Sequence, residues 1–210
     1  MLVFCNKVTR KPDSASLGIR HDGKGLYMKD INNYTRVTEV LSFFSGFQAV
    51  DPVVLQNAAN RGTLVHQICD AIIEGIGTPP VSSEISPYID SFLQYPEKAY
   101  IKKPERFFCD ELMITGECDA IYKEGDSLVL VDFKTSRAEG KTWALQGSAY
   151  AYLAKKAGYP IDRIEFVKLD RTGKAPKVLV YQDQFPDFLA ALRMYRLFFD
   201  GKPPILGEDL

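Results

Sequence analysis

Asp132 and Lys134 stand two residues apart at the end of the run LVLVDFKTS, residues 128–136. On a strand that spacing turns both side chains to one face. Burying ions costs several kcal/mol each unless each finds a partner or holds a ligand, so packing alone is a poor reason for them. The segment before it, ITGECDAIYK, brings a second carboxylate. EGDS supplies a hairpin turn, and a two-residue reversal at Gly125-Asp126 sets Asp119 opposite Asp132. Cross-strand β-carbons lie about 4.5–5.5 Å apart, where two carboxylates repel unless a hard divalent cation takes their oxygens. This expectation depends on register, because a one-residue slip would undo the pairing.

Three further groups bear on the same chemistry. His66, one of only two histidines, lies in GTLVHQICD with Asp70 one helical turn on. The pair reads either as a partly exposed histidine beside a carboxylate, or as a metal ligand whose second ring nitrogen Asp70 holds. His21, in RHDGKG, reads as surface. Gln146 and Tyr150 form another four-residue pair, either the polar rim of a helix or groups that bond a phosphate or base, or orient Lys134. Glu105 opens the strand RFFC, as a water-mediated metal contact or as a solvated charge beside Lys102 and Lys103.

The elements that must position these groups can be read from hydrophobic period. Residues 1–36 read as an extended, weakly structured entry, and YTRVTEVLSFF opens a helix at Thr35 or Thr38. In NRGTLVHQICDAIIEG the apolar residues Leu64, Val65, Ile68, Ile72 and Ile73 recur at helical spacing up to Gly75. A Pro/Ser linker follows, then a third helix in ISPYIDSFLQY. RFFC, ITGECDAIYK and SLVLVDFKT read as a three-strand meander. TWALQGSAYAYLAKKAG is a helix, IEFVKLD and KVLVYQ are strands, and FPDFLAALRMYRLFFDG is a closing helix. The order implies an α/β domain with a mixed central sheet flanked by helices. We read one domain over 1–210, with a mainly helical part at 1–96 and an α/β core with its closing helix at 97–210.

Bulk properties narrow the class. The 210 residues are 46% hydrophobic and 25% charged, with a formal net charge of -1, so a polyanionic partner would have to meet a local patch. Basic residues gather in KAYIKKPER and DRTGKAPK, which can flank a DNA groove and make salt-dependent phosphate contacts, or can be solvated surface. Tyr34, Phe43, Phe44 and Phe47 either stack on unpaired bases or belong to the core. Four cysteines without a CxxC pair read as thiols of a reducing compartment and speak against structural zinc. With no long apolar run and no signal-peptide core, the expectation is a soluble, cytoplasmic protein without membrane association. There is no GxxxxGK[ST] nucleotide loop.

Taken in order, GTLVH with His66, GECD with Asp119, DFKT with Asp132 and Lys134, and LQGSAY with Gln146 and Tyr150 resemble the PD-(D/E)XK nuclease superfamily, in particular its RecB-like exonuclease branch. The resemblance covers about residues 60–152. It implies a restriction-endonuclease-like core with the N-terminal helices near the active site. It further implies one or two Mg²⁺ or Mn²⁺ ions held by His66, Asp119, Asp132 and the Phe133 backbone carbonyl, with Glu105 near a second. Lys134 would assist the attacking water, and Gln146 and Tyr150 would contact substrate, joined by Lys102 and Lys103. Asp70 stands where many relatives carry Glu. The iron–sulphur branch is disfavoured, since no cysteine follows Cys118. The implied activity is metal-dependent hydrolysis of single-stranded or free-ended DNA in recombination, repair or phage DNA processing. A helicase, recombinase or single-strand-binding protein would be the partner. The competing readings are a structure-selective endonuclease on the same core and a non-catalytic DNA-binding or assembly protein.

Overall fold

The computed structural model describes residues 17–21, 26–46, 50–96, 100–102 and 106–200. Of the expected site residues, Lys103 and Glu105 lie outside these, as does Phe47, while Lys102 is described by its backbone alone. The elements are β1 (Leu17–His21), β2 (Leu26–Asp30), β3 (Thr35–Arg36), α1 (Val37–Ser42), α2 (Pro52–Ile73), α3 (Ser86–Leu93), β4 (Tyr100–Lys102), β5 (Phe107–Cys109), β6 (Ile114–Gly116), β7 (Ala120–Glu124), β8 (Ser127–Lys134), α4 (Trp143–Lys156), β9 (Arg163–Lys168), β10 (Lys177–Tyr181) and α5 (Phe185–Tyr195). A π-helical turn, Arg196–Asp200, extends α5.

The central sheet has the order β10-β9-β8-β7-β4 and is mixed: β8 and β9 run parallel, joined through α4, and the other neighbours are antiparallel. β8 is buried on both faces, and its alternation divides the core. Val129, Val131 and Phe133 pack with Val65 of α2 and Ile89 and Phe92 of α3. Leu130 packs with Leu153 of α4 and Leu192 of α5. Asp132 and Lys134 fall on the Leu130 side, and this alternation aims both at α4. Truncating a fully buried aromatic such as Phe133 costs about 3–5 kcal/mol, which is how firmly the strand end is held.

The β7–β8 hairpin turns at Gly125, φ +60°, and pairs Ala120 with Val131 through Glu124 with Ser127. That is the register expected from the turn. The ladder stops one residue short of Asp119, whose N–H donates to the Val131 carbonyl at 3.1 Å. Asp119 therefore sits beside the end of the ladder and not in a regular cross-strand pair with Asp132.

Two other expectations are revised. ITGECDAIYK is not one strand. Ile114–Gly116 joins a small sheet, order β3-β6-β5, and the chain then breaks at Glu117-Cys118-Asp119 before entering the central sheet. Gly116 explains the departure: a Cβ there would lie 2.6 Å from the Tyr150 ring, so the glycine admits close approach of α4. Within the extended entry, β1 and β2 pair antiparallel and β3 lies parallel to β6. Finally, α2 begins at Pro52, well before Asn60. Asp51 caps it, accepting from the N–H groups of Val53 at 2.7 Å and Val54 at 3.3 Å, and Pro52 occupies the first turn. Among the described residues no helix is long and apolar enough to cross a membrane.

Candidate active site

The end of β8 brings together groups from both faces of the sheet. Asp132 is 3% exposed. Its Oδ2 lies 2.5 Å from the Lys134 ammonium yet has no partner in hydrogen-bonding geometry. Lys134 Nζ also donates to Gln146 Oε1 at 3.2 Å, and Gln146 Nε2 donates to the Tyr150 hydroxyl at 3.0 Å. The ammonium fixes which way the Gln146 amide faces, because only its oxygen can accept. The ring of Phe166 lies 5.1 Å and that of Trp143 5.9 Å from Nζ, giving the cation an aromatic wall. Gln146 and Tyr150 are both buried one turn apart on α4, and donation runs from Lys134 through Gln146 to the Tyr150 hydroxyl.

Asp119 joins this group to α2. Its Oδ1 lies 2.7 Å from His66 Nδ1, and its Oδ2 accepts from the Phe133 N–H at 2.5 Å. A strand residue sends its N–H and carbonyl to the same edge. The Phe133 carbonyl therefore faces the Asp119 side, past the end of the β7 ladder. Asp70 lies one turn beyond His66 on the same helix, half-buried.

The charges perturb one another. Burial alone would lower the His66 pKa, but the Asp119 carboxylate and its hydrogen bond, helped by Asp132, hold it up at about 9. Burial pushes Asp132 up to about 6; the Lys134 ammonium opposes this and Asp119 reinforces it. Burial raises the Tyr150 phenol well above its ordinary value, and Asp132 adds to this. Tyr150 is thus a neutral hydrogen-bonding group at any ordinary pH.

Among the described residues no three His, Cys, Asp or Glu side chains converge as a metal-binding cluster. The expected set of His66, Asp119 and Asp132 is adjacent, but its donors are turned on one another: Asp119 onto His66 and the Phe133 amide, Asp132 onto Lys134. The donor chemistry still suits a hard or borderline divalent ion, with two carboxylates and an imidazole brought side by side.

These groups border a cleft of about 600 Å³ lined by Thr38 and Ser42 of α1, His66, Lys134, Trp143 and Gln146. The segment after β8, residues 135–142, forms much of its rim. Sequence reading passed over this segment and Trp143, although Gly140 is a visible signal: a Cβ there would come within 2.2 Å of the Trp143 indole nitrogen. Of the aromatic residues expected to stack on bases, Tyr34 bonds Asp110 and meets Phe108 edge-on, while Phe43 stacks on Phe199 at 4.1 Å. In the basic run at 98–106, Arg106 pairs with Glu117 at 3.0 Å.

The model of the PD-(D/E)XK nuclease superfamily matches residues 80–196, and the chain belongs to that superfamily. The match spans Asp119, Asp132, Lys134, Gln146 and Tyr150 and begins after His66. A solved structure described as "Crystal structure of SSO0001" is similar at 14% sequence identity and a TM-score of 0.40, over 82% of this chain and 78% of that one. No curated protein matches the chain.

Proposed function

We propose that this chain is a divalent-metal-dependent deoxyribonuclease of the RecB-like kind, which hydrolyses phosphodiester bonds from a DNA end in recombination, repair or phage DNA processing. The observation that carries the reading is the Lys134 ammonium, held between Asp132 and Gln146 on the wall of an open cleft in a chain of a nuclease superfamily. A buried strand end has no packing reason to keep that lysine, and phosphoryl transfer has a chemical one.

Asp119, Asp132 and His66, with the Phe133 carbonyl, would hold Mg²⁺ or Mn²⁺, and such an ion supplies Lewis-acid polarisation of a phosphate oxygen and a more acidic water. The chain's own groups do the remainder. With the ion held, the Asp119 and Asp132 carboxylates would serve it in place of His66 and Lys134. Lys134 then presents its charge to the cleft, where it holds the attacking water or offsets negative charge developing on phosphorus. Gln146 keeps the ammonium in place, and Tyr150, neutral and buried, keeps Gln146 from rotating. Asp70 sits behind His66 as a positioning group. Lys102, Lys103 and Glu105 remain part of the proposal as substrate contacts and an accessory carboxylate.

The α1 residues that line the cleft together with Lys134 favour a strand entering from its end. The test is cleavage of end-labelled linear single- and double-stranded DNA beside a closed single-stranded circle, with Mg²⁺ or Mn²⁺. Loss of linear DNA with the circle intact is expected. Nicking of the circle would transfer the activity to an endonuclease. An inert protein in every condition would favour the binding or assembly reading, which the mutual pairing of the site carboxylates with His66 and Lys134 supports.

A further inference from the structure

The segment after Lys134 is shared by two hollows. Thr135, Ser136 and Arg137 line the cleft on one side and, on the other, a smaller pocket of about 240 Å³ bounded by Tyr88, Lys168 and Arg171. From the geometry we infer that this pocket is a second phosphate subsite, through which the same DNA strand leaves the cleft by crossing residues 135–137. The inference rests on the proposed nuclease function.

Three observations carry it. First, the pocket is cationic: Arg137, Lys168 and Arg171 line it against one carboxylate, Asp170, and the Glu139 carboxylate that Lys168 feels has a closer partner. Glu139 is paired with Lys177 at 2.6 Å, and Asp170 accepts from Thr172, N–H at 2.7 Å and hydroxyl at 2.5 Å. Second, the loop bearing Arg171 is fixed in place. The Asp170 N–H donates to Ser91 Oγ at 2.8 Å, and Gln94 Nε2 donates to the Gly173 carbonyl at 2.6 Å, both against α3. Gly173 has φ +78°, a backbone conformation that glycine takes without strain, which lets the chain turn here. A pre-positioned cation loses less ordering entropy on binding than one on a loose loop. Third, the pocket is joined to the proposed scissile site by backbone. The Leu169 N–H donates to the Lys134 carbonyl at 2.8 Å, and Lys168 pairs in register with Lys134. A strand anchored at the pocket is thereby indexed to Lys134 and not merely attracted to the surface.

The test uses the full chain and fluorescein-labelled oligothymidylates of 4 and 16 nucleotides. Anisotropy in EDTA reads binding over a salt series, and cleavage of the 4-mer with Mn²⁺ reads the reaction centre. R171A is expected to weaken binding of the 16-mer several-fold and to lower its salt slope by about 0.7 per lost phosphate contact. It should leave the 4-mer's affinity and cleavage rate near those of the parent. Circular dichroism of the variant should match the parent, the side chain being exposed; R171K should regain most of the salt slope. An unchanged 16-mer affinity and slope, or equal losses for both lengths, would overturn the subsite while leaving the nuclease reading intact. A parent that neither binds nor cuts any strand would overturn both.

Discussion

Replacing Asp132 by Asn should stabilise the metal-free protein at alkaline pH, although it removes a group on which the proposed reaction depends. Asp132 is 3% exposed, and burial lifts its carboxyl from 3.8 to about 6. At about 1.36 kcal/mol per pKa unit, the ionised form opposes folding by roughly 3 kcal/mol at pH 8. Asn keeps the shape without the charge, but its amide brings a donor into a buried position, which takes back about 1 kcal/mol. The expected gain is therefore roughly 2 kcal/mol. The sign follows from proton uptake: the folded protein holds this proton more tightly than the unfolded chain, so the parent regains stability as pH falls through 6 toward 4. The advantage of D132N should shrink by roughly 1–2 kcal/mol between pH 8 and pH 5. Urea unfolding with EDTA, followed by the single tryptophan, Trp143, measures both quantities. A D132N protein less stable than the parent at pH 8 would refute the reasoning, because Asp132 would then be a net stabiliser through Lys134 rather than a strained carboxylate.

Three other outcomes are expected. Y150F leaves the buried Gln146 Nε2 without its acceptor, costing about 1–3 kcal/mol; thermal melting should drop and kcat fall with Lys134 less firmly held, and an unchanged melt would show that Gln146 finds another partner. G147A gains about 1 kcal/mol of helix propensity. Its Cβ, however, would lie 2.4 Å from Ile164 Cγ2 and 2.9 Å from Phe166 Cε2, and such overpacking costs about 1–3 kcal/mol, so a lower urea midpoint is expected and a higher one would mean that α4 has room. His66, raised from 6.5 to about 9, contributes stability that is present below pH 6.5 and lost as pH rises through 9; with EDTA, H66N should be markedly weaker than the parent at pH 6 and close to it at pH 9.5, and a loss independent of pH would argue against a charged His66.

The parts of this molecule that are local in sequence could be read from it. The turn at Gly125-Asp126 and the apolar period of residues 128–133 specify the β7–β8 hairpin and its register, and the four-residue spacing of Gln146 and Tyr150 specifies one face of α4. The parts that depend on partners far along the chain could not. The contact of His66 Nδ1 with Asp119, 53 residues away, has no local signal. Gly116 reads as an ordinary strand residue until the Tyr150 ring is set against it, and that contact divides ITGECDAIYK between two sheets. The Asp51-Pro52 start of α2 was legible as a cap, but the exposed Val53 and Val54 break the amphipathic pattern by which helices are traced. The rim at 135–142 has no period at all, and only the folded position of α1 makes it a wall of the cleft.

The central claim is that Lys134 and its carboxylates form a metal-dependent reaction centre. The most direct measurement is single-turnover cleavage of end-labelled linear DNA by the parent and by K134A, each with Mn²⁺, Mg²⁺ or EDTA, at protein concentrations that saturate the strand. The account predicts short products from the parent with metal, none with EDTA, and a rate reduced by about a hundredfold or more in K134A, in the range of losing one transition-state stabilising group, with DNA binding retained. Cleavage by K134A at the parental rate, or cleavage undiminished by EDTA, would contradict it.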